Sequence, residues 1–143
     1  MSTVSPRQRP EPVASRDSAF FWEGLRDERL LGQQCDGCRR FRHPPRPMCP
    51  HCGSLSWSAT PLSGRGRVHA WIKPVHPPLP MFEPGYLVAL IELDEGIRLL
   101  SNLCEVDSDE VRNDMPVEVF FVDVGDSGSR IHQFRPTREA AGG

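Results

Sequence analysis

Four cysteines in the pattern C-x2-C-x10-C-x2-C, namely Cys35, Cys38, Cys49 and Cys52, are the residues of this 143-residue chain best suited to chemistry. Two sulfurs on one tight knuckle can reach the same metal ion, and the intervening segment is long enough for a short hairpin to return the second pair. The spacing therefore predicts a tetrahedral four-thiolate site. Zinc is the expected ion and iron the alternative, because the ligands alone do not separate them. Four thiolates leave no open coordination position, so the metal is expected to organise a small module and not to hydrolyse a substrate. Redox use of the two CxxC pairs competes with this reading, but the paired spacing, with Gly53 directly after Cys52, favours metal. Arg39 stands where such a knuckle often places glycine to reach left-handed backbone, which predicts a looser first half.

Other candidate chemistry is weaker. Arg39, Arg40, Arg42 and Arg46 form a basic cluster that either grips phosphate groups or balances the charge of a four-thiolate zinc. The run KPVHPPLPMFEPGY carries five prolines between Pro74 and Gly85, together with Val75, Leu79, Met81 and Phe82. So stiff and apolar a loop either docks an apolar partner, at low entropic cost, or folds back to cap a core. Cys104 is expected to be a small buried residue, since no base lies beside it. His43 and His51 read as surface residues, and His69 and His132 as strand residues without a readable partner. Glu92, Asp94, Glu95, Asp107, Asp109 and Glu110 fall in turns and at strand ends, where solvated charge is the default. Nucleophile elbow, Walker loop and dinucleotide fingerprint are all lacking, so self-contained catalysis is poorly supported.

The elements that must position these residues follow from composition and periodicity. Residues 1–14 hold three prolines and few apolar side chains, and are expected to be a disordered tail. Over 15–29 the pattern predicts a short helical arm, capped at Asp17 or Ser18, with Phe21, Leu25 and Trp22 toward one face and Gly24 weakening it. Residues 30–60 are expected to form a zinc ribbon entered by a strand over Leu30 to Gln34. Residues 61–136 read as five strands with one short helical turn near Asp107 to Asp114, including a hairpin that turns at Asp94, Glu95 and Gly96. This mainly β pattern fits a five-stranded OB-fold barrel, with the proline-rich loop joining its first two strands. Residues 137–143 are expected to fray.

The net charge of −2 hides an asymmetry, because residues 86–126 carry eleven acids against Arg98 and Arg112. So acidic a barrel argues against the rival reading of a single-stranded nucleic-acid-binding module, which needs a basic groove and stacking aromatics. Five cysteines, the lack of an amino-terminal apolar segment and the metal-like CxxC pairs predict a cytoplasmic protein, and no run reaches membrane-spanning length.

FWEGLR at Phe21 to Arg26, QQCDGC, PPRPMCPHCGS, SGRG, YLVALIELDEGIRLLSNL, MPVEVFF and FRP together resemble the acyl-CoA-associated zinc-ribbon/OB-fold family over about residues 18–136. The resemblance implies a helical arm, a rubredoxin-like zinc ribbon held by Cys35, Cys38, Cys49 and Cys52, and an OB barrel. It also implies a noncatalytic accessory subunit, in hetero-oligomers with a thiolase-like (acetyltransferase or aldolase) or MaoC-type hydratase partner acting on acyl-CoA in steroid or fatty-acid side-chain degradation. Catalytic residues would then belong to the partner. Trp22, Arg39, Arg40, Arg46, Leu79, Met81 and Phe82 are the candidate ligand- or partner-binding residues, and coenzyme A is a candidate ligand.

Overall fold

The computed structural model of the chain describes residues 9–137. Residues 1–8 of the expected amino-terminal tail, and 138–143 of the expected frayed end, lie outside the described residues. Residues 9–14 run along the barrel: Arg9 Nη1 donates to Asn102 Oδ1 at 2.6 Å, and the Glu11 carboxylate accepts from the Ser127 hydroxyl. Among the described residues no helix is long and apolar enough to cross a membrane.

One helix, α1 (Ala19–Arg26), precedes all the strands. Phe21 and Leu25 lie four residues apart, hence on one face, and both are buried. Ser18 occupies the N-cap, but its hydroxyl turns back to Ser15 and does not cap a helical amide. The helix ends where Glu28 turns to a φ of 55° and the Arg29 amide reaches the Gly24 carbonyl at 2.9 Å. Gly24, expected only to weaken the helix, has a packing role. A Cβ there would stand 2.8 Å from Leu31 Cδ1 and 2.9 Å from the Arg29 carbonyl oxygen, so its absence lets the following turn lie flat on the helix.

The ribbon is a three-stranded antiparallel sheet in which β1 (Leu31–Cys35) lies between β2 (Phe41–Arg42) and β3 (Trp57–Pro61). Its register runs from Leu31 opposite Pro61 to Cys35 opposite Trp57. That pairing carries the first cysteine to the sheet end where both knuckles meet.

The remaining strands are β4 (Arg65–Ile72), β5 (Leu87–Leu93), β6 (Arg98–Leu103), β7 (Pro116–Val124) and β8 (Ser129–Pro136), with one 3-10 turn at Ser108–Glu110. They close as β4-β5-β6-β8-β7, and β7 pairs back onto β4. Leu103 pairs with Phe134 in parallel, while the other neighbours are antiparallel, which is the order of an OB-fold barrel. Strict alternation along β5 sends Leu87, Ala89, Ile91 and Leu93 inward. Val68, Leu99, Leu103, Val117 and the fully buried Phe134 meet them, and Phe21, Leu25 and Leu30 join the same cluster. Full burial of one such side chain contributes roughly 1.5–3 kcal/mol, so the helical arm is part of the barrel's core and not an appendage.

Candidate metal centre and its surroundings

Each knuckle is built by the backbone before any metal is considered. After Cys35 the chain turns so that the Arg39 amide donates to the Cys35 carbonyl at 3.0 Å, and after Cys49 the Gly53 amide donates to the Cys49 carbonyl at 2.9 Å. The two turns also share their closing bonds, from Cys35 N–H to the Arg40 carbonyl and from Cys49 N–H to the Ser54 carbonyl, both at 2.9 Å. Arg39 takes a φ of 67° and Gly53 one of 77°. The first knuckle is therefore no looser than the second: the non-glycine residue adopts the left-handed backbone and carries its cost as local strain.

These turns bring the four sulfurs within 4.8 Å of one another, with Cys35 Sγ 3.5 Å from Cys52 Sγ and Cys38 Sγ 3.6 Å from Cys49 Sγ. A tetrahedron with metal–sulfur bonds of about 2.3 Å has edges of roughly 3.8 Å, whereas a disulfide requires about 2.05 Å. The four cysteines form no disulfide with one another and have the spacing and donor chemistry of a four-sulfur metal site. Backbone amides prepare them for it. Cys38 N–H points at Cys35 Sγ at 3.5 Å, and His51 N–H at Cys49 Sγ at 3.4 Å. The Cys38 amide is the main reason that the Cys35 thiol is pulled down to about 6, and the Cys52 amide likewise lowers Cys49. Cys52 receives an amide hydrogen bond from Ser54 that favours its thiolate, yet sharing a hydrogen bond with the Cys35 sulfur, together with desolvation, pushes it up to about 11. A divalent cation entering the tetrad must displace the protons that the thiols still carry.

Behind the tetrad, Gln33 is 1% exposed and clamps the loop that returns to Cys49. Its Nε2 donates to the Arg46 carbonyl and its Oε1 accepts from the Arg46 amide, both at 2.8 Å. The buried Arg42 adds Nε and Nη2 donations to that same carbonyl, at 3.2 and 3.0 Å. Sequence reasoning missed Gln33; a polar residue between the buried Leu31 and Cys35 on a short strand was the available signal. The arginine cluster separates into unlike members. Arg39, Arg40 and Arg46 expose their side chains, whereas Arg42 is buried, and among the described residues the hydrogen bonds to the tetrad's sulfurs come from backbone amides and thiols, none from an arginine.

The remaining candidates fall elsewhere. Trp22 is half-buried on α1, edge-on to Phe21 at 5.1 Å. In the proline-rich loop Leu79 is 40% exposed and Met81 half-buried. Phe82 stacks on Tyr86 at 4.6 Å with the Arg9 guanidinium over its ring at 4.7 Å, so it is committed within the chain. Ile72 and Val75, at the mouth of this loop, are 62% and 78% exposed. Cys104 donates its thiol hydrogen to Gln133 Oε1 at 3.0 Å, and burial pushes it up to about 11, the opposite of an activated nucleophile. His43, read as a surface residue, lies partly buried beside Phe21, at 5.6 Å between ring centroids. His132 has a partner after all, the Leu100 carbonyl at 3.1 Å from Nε2.

Known proteins share this arrangement. Residues 22–58 match the family model described as the ChsH2 rubredoxin-like zinc ribbon domain, and residues 59–122 match the ChsH2 C-terminal OB-fold domain. A probable enoyl-CoA hydratase alpha subunit of Thermomonospora curvata is 43% identical over 128 residues, 90% of this chain and 40% of that protein. The 3-oxo-4,17-pregnadiene-20-carboxyl-CoA hydratase alpha subunit of Mycobacterium tuberculosis is 35% identical over 86% of this chain and 39% of its own length. The chain thus spans about two fifths of the length of these curated relatives. A solved chain described as Ltp2-ChsH2(DUF35) aldolase superposes with a TM-score of 0.82 at 42% identity, over 87% of this chain and 98% of that one. With its sulfur tetrad on a three-stranded ribbon joined to a closed five-stranded barrel, the chain belongs to the ChsH2-type, or DUF35, family of rubredoxin-like zinc-ribbon and OB-fold proteins.

Proposed function

We propose that this chain is a noncatalytic accessory subunit that binds one zinc ion through Cys35, Cys38, Cys49 and Cys52 and holds an acyl-CoA-processing partner of the aldolase/thiolase or hydratase type. The observation that carries the reading is its near-complete superposition on a ChsH2(DUF35) chain of an aldolase, together with the hydratase alpha-subunit relatives. The chemistry of its own side chains agrees. The thiol outside the tetrad is held protonated, and the four sulfurs offer no open coordination position. Zinc, when bound, contributes a structural cross-link, on the order of 10 kcal/mol of apparent binding free energy in finger-sized modules. What the chain supplies to a reaction is positioning: an ordered surface against which the partner's active site and acyl chain are arranged. Ile72, Val75 and Leu79 present the exposed apolar part of that surface, and the steroid-CoA hydratase relative makes a bulky acyl-CoA the first substrate class to test.

The nucleic-acid alternative gains no support from the barrel face. Phe120 lies under the Arg135 guanidinium at 5.0 Å, and Phe121 packs against the core cluster, so neither is a free stacking platform. The test is co-purification of the tagged chain from its host with assay of acyl-CoA turnover. One zinc per chain, a thiolase- or hydratase-type partner, and a Cys104→Ala complex that stays active are the expected results. Solitary elution, or loss of activity in an intact Cys104→Ala complex, would overturn the reading.

A further inference from the structure

Residues 9–14, expected to belong to a disordered tail, cross the barrel as a strap fixed at two points. Among the described residues no backbone hydrogen bond ties the strap to a strand, so side chains do the anchoring. Arg9 Nη1 donates to Asn102 Oδ1 on β6 at 2.6 Å, and its guanidinium lies over the Phe82 ring at 4.7 Å. Two residues on, the Glu11 carboxylate accepts from the Ser127 hydroxyl and packs against Gly125, where a Cβ would collide with it. Pro10 and Pro12 restrict the backbone on either side of Glu11, which lowers the entropy lost when the strap seats. Phe82 belongs to the loop between β4 and β5, and Gly125 and Ser127 to the β7–β8 turn. These two loops flank the ligand face of an OB barrel, and β6 is one of the strands of that face. The chain's own strap therefore sits where an OB barrel takes its ligands.

Under Arg9 the groups are held in place before any donor arrives. In the ladder β6 and β8 pair only at Leu103 and Phe134, and side chains bridge the seam beside that point. Asn102 Nδ2 donates to the Leu87 carbonyl at 3.0 Å, which turns its Oδ1 toward Arg9. The same oxygen accepts from Gln133 Nε2 at 3.3 Å, and Gln133 Oε1 accepts the Cys104 thiol hydrogen at 3.0 Å. Around this network lies a cavity of about 340 Å³ with Arg9, Glu83, Tyr86, Asn102, Cys104 and Gln133 in its lining. Tyr86 stacks on Phe82 at 4.6 Å and holds the ring that meets the guanidinium. Glu83 brings opposite charge to a cation that the fold partly strips of water. A fixed acceptor, an aromatic face and a carboxylate together recognise a planar cation better than a compact ammonium.

We infer that this cavity is a guanidinium-binding site that Arg9 fills in cis, and that the strap is a latch whose release frees the site for an external arginine side chain and bares Cys104. The inference does not depend on which partner the chain holds. The test uses the zinc-loaded full chain and its Arg9→Ala/Glu11→Ala variant, which releases both anchors without touching the core. N-acetyl-arginine methylamide and its lysine counterpart are titrated into each and followed by amide chemical shifts, with unchanged shifts along β4 and β7 certifying the fold. Alkylation of Cys104 by iodoacetamide is followed in the same samples and located by peptide mass, which separates it from the tetrad. The variant is expected to alkylate at Cys104 at least fivefold faster than the parent. It should also bind the arginine probe saturably, at least tenfold more tightly than the lysine probe, and the arginine probe should slow its alkylation again. An unchanged Cys104 rate, no arginine-probe binding to the variant, equal binding of the lysine probe, or equal binding by parent and variant overturns the inference. So does a faster Cys104 that the arginine probe fails to slow, because that result reports a loosened barrel and not a vacated site.

Discussion

Arg39 and Gly53 occupy the same position in two knuckles with matching hydrogen bonds, at φ of 67° and 77°, each donating its amide to the carbonyl of the first cysteine of its pair. Left-handed backbone costs a non-glycine residue roughly 1–2 kcal/mol, and glycine almost nothing. Arg39→Gly is therefore expected to stabilise the ribbon by about 1 kcal/mol, and Gly53→Ala to destabilise it by a similar amount. Chemical denaturation followed by Trp57 fluorescence reads both; a destabilised Arg39→Gly would mean that the arginine side chain has a structural role not visible in its contacts.

Removal of metal should divide the molecule. β1 to β3 have a short sheet and little core of their own, while the barrel keeps the cluster around Val68, Ile91 and Phe134. Under chelator, or in Cys49→Ser, amides of residues 31–61 are expected to lose hydrogen-exchange protection while those of β5 and β6 retain it. Uniform loss across both would show that ribbon and barrel unfold together.

Gln33 holds both backbone polar groups of Arg46 from a fully buried position. Gln33→Ala leaves the Arg46 amide without its partner, while Arg42 still donates to the carbonyl, and opens a void, at a cost of about 2–4 kcal/mol. Measured zinc affinity should fall with it, since the clamped loop delivers Cys49. A variant as stable and as tight as the parent would refute the clamp.

Gly24→Ala separates intrinsic propensity from packing. In an exposed helix the change gains up to about 1 kcal/mol, but here the new methyl meets the Arg29 carbonyl and Leu31. A lowered melting temperature is expected, and a raised one would argue that the turn after α1 relaxes freely.

Acid sensitivity should come from the histidines beside Phe21. Burial, with a smaller contribution from His132, lowers His43 from its ordinary value of 6.5 to about 4, and burial lowers His132 as well. The unfolded chain therefore binds more protons than the folded one between these limits. The stabilisation is complete above about pH 6.5 and is lost as pH falls toward 4, on the order of 1–3 kcal/mol for His43. His43→Leu is expected to flatten the stability profile between pH 4 and 6.5, as read by urea midpoints at each pH; an unchanged slope would place the proton uptake elsewhere.

What the amino-acid order determined by itself was whatever depends on neighbours close along the chain. Two CxxC knuckles set their own turns, so the tetrad was legible from spacing; alternation in Leu87–Leu93 named its inward face, and Asp94 to Gly96 marked the hairpin. Tertiary structure decided what depends on elements meeting from a distance. Period-two patterning tells which face of a strand is buried but not which strand lies opposite, so the parallel Leu103–Phe134 closure, the entry of Phe21 and Leu25 into the barrel core and the clamp of Gln33 on Arg46 were out of reach. The basic cluster shows the difference most clearly. Four arginines adjacent in sequence read as one site, yet folding buries Arg42, turns Arg39 and Arg40 away and brings Arg98 across from the barrel, because a charge acts on what it faces in space.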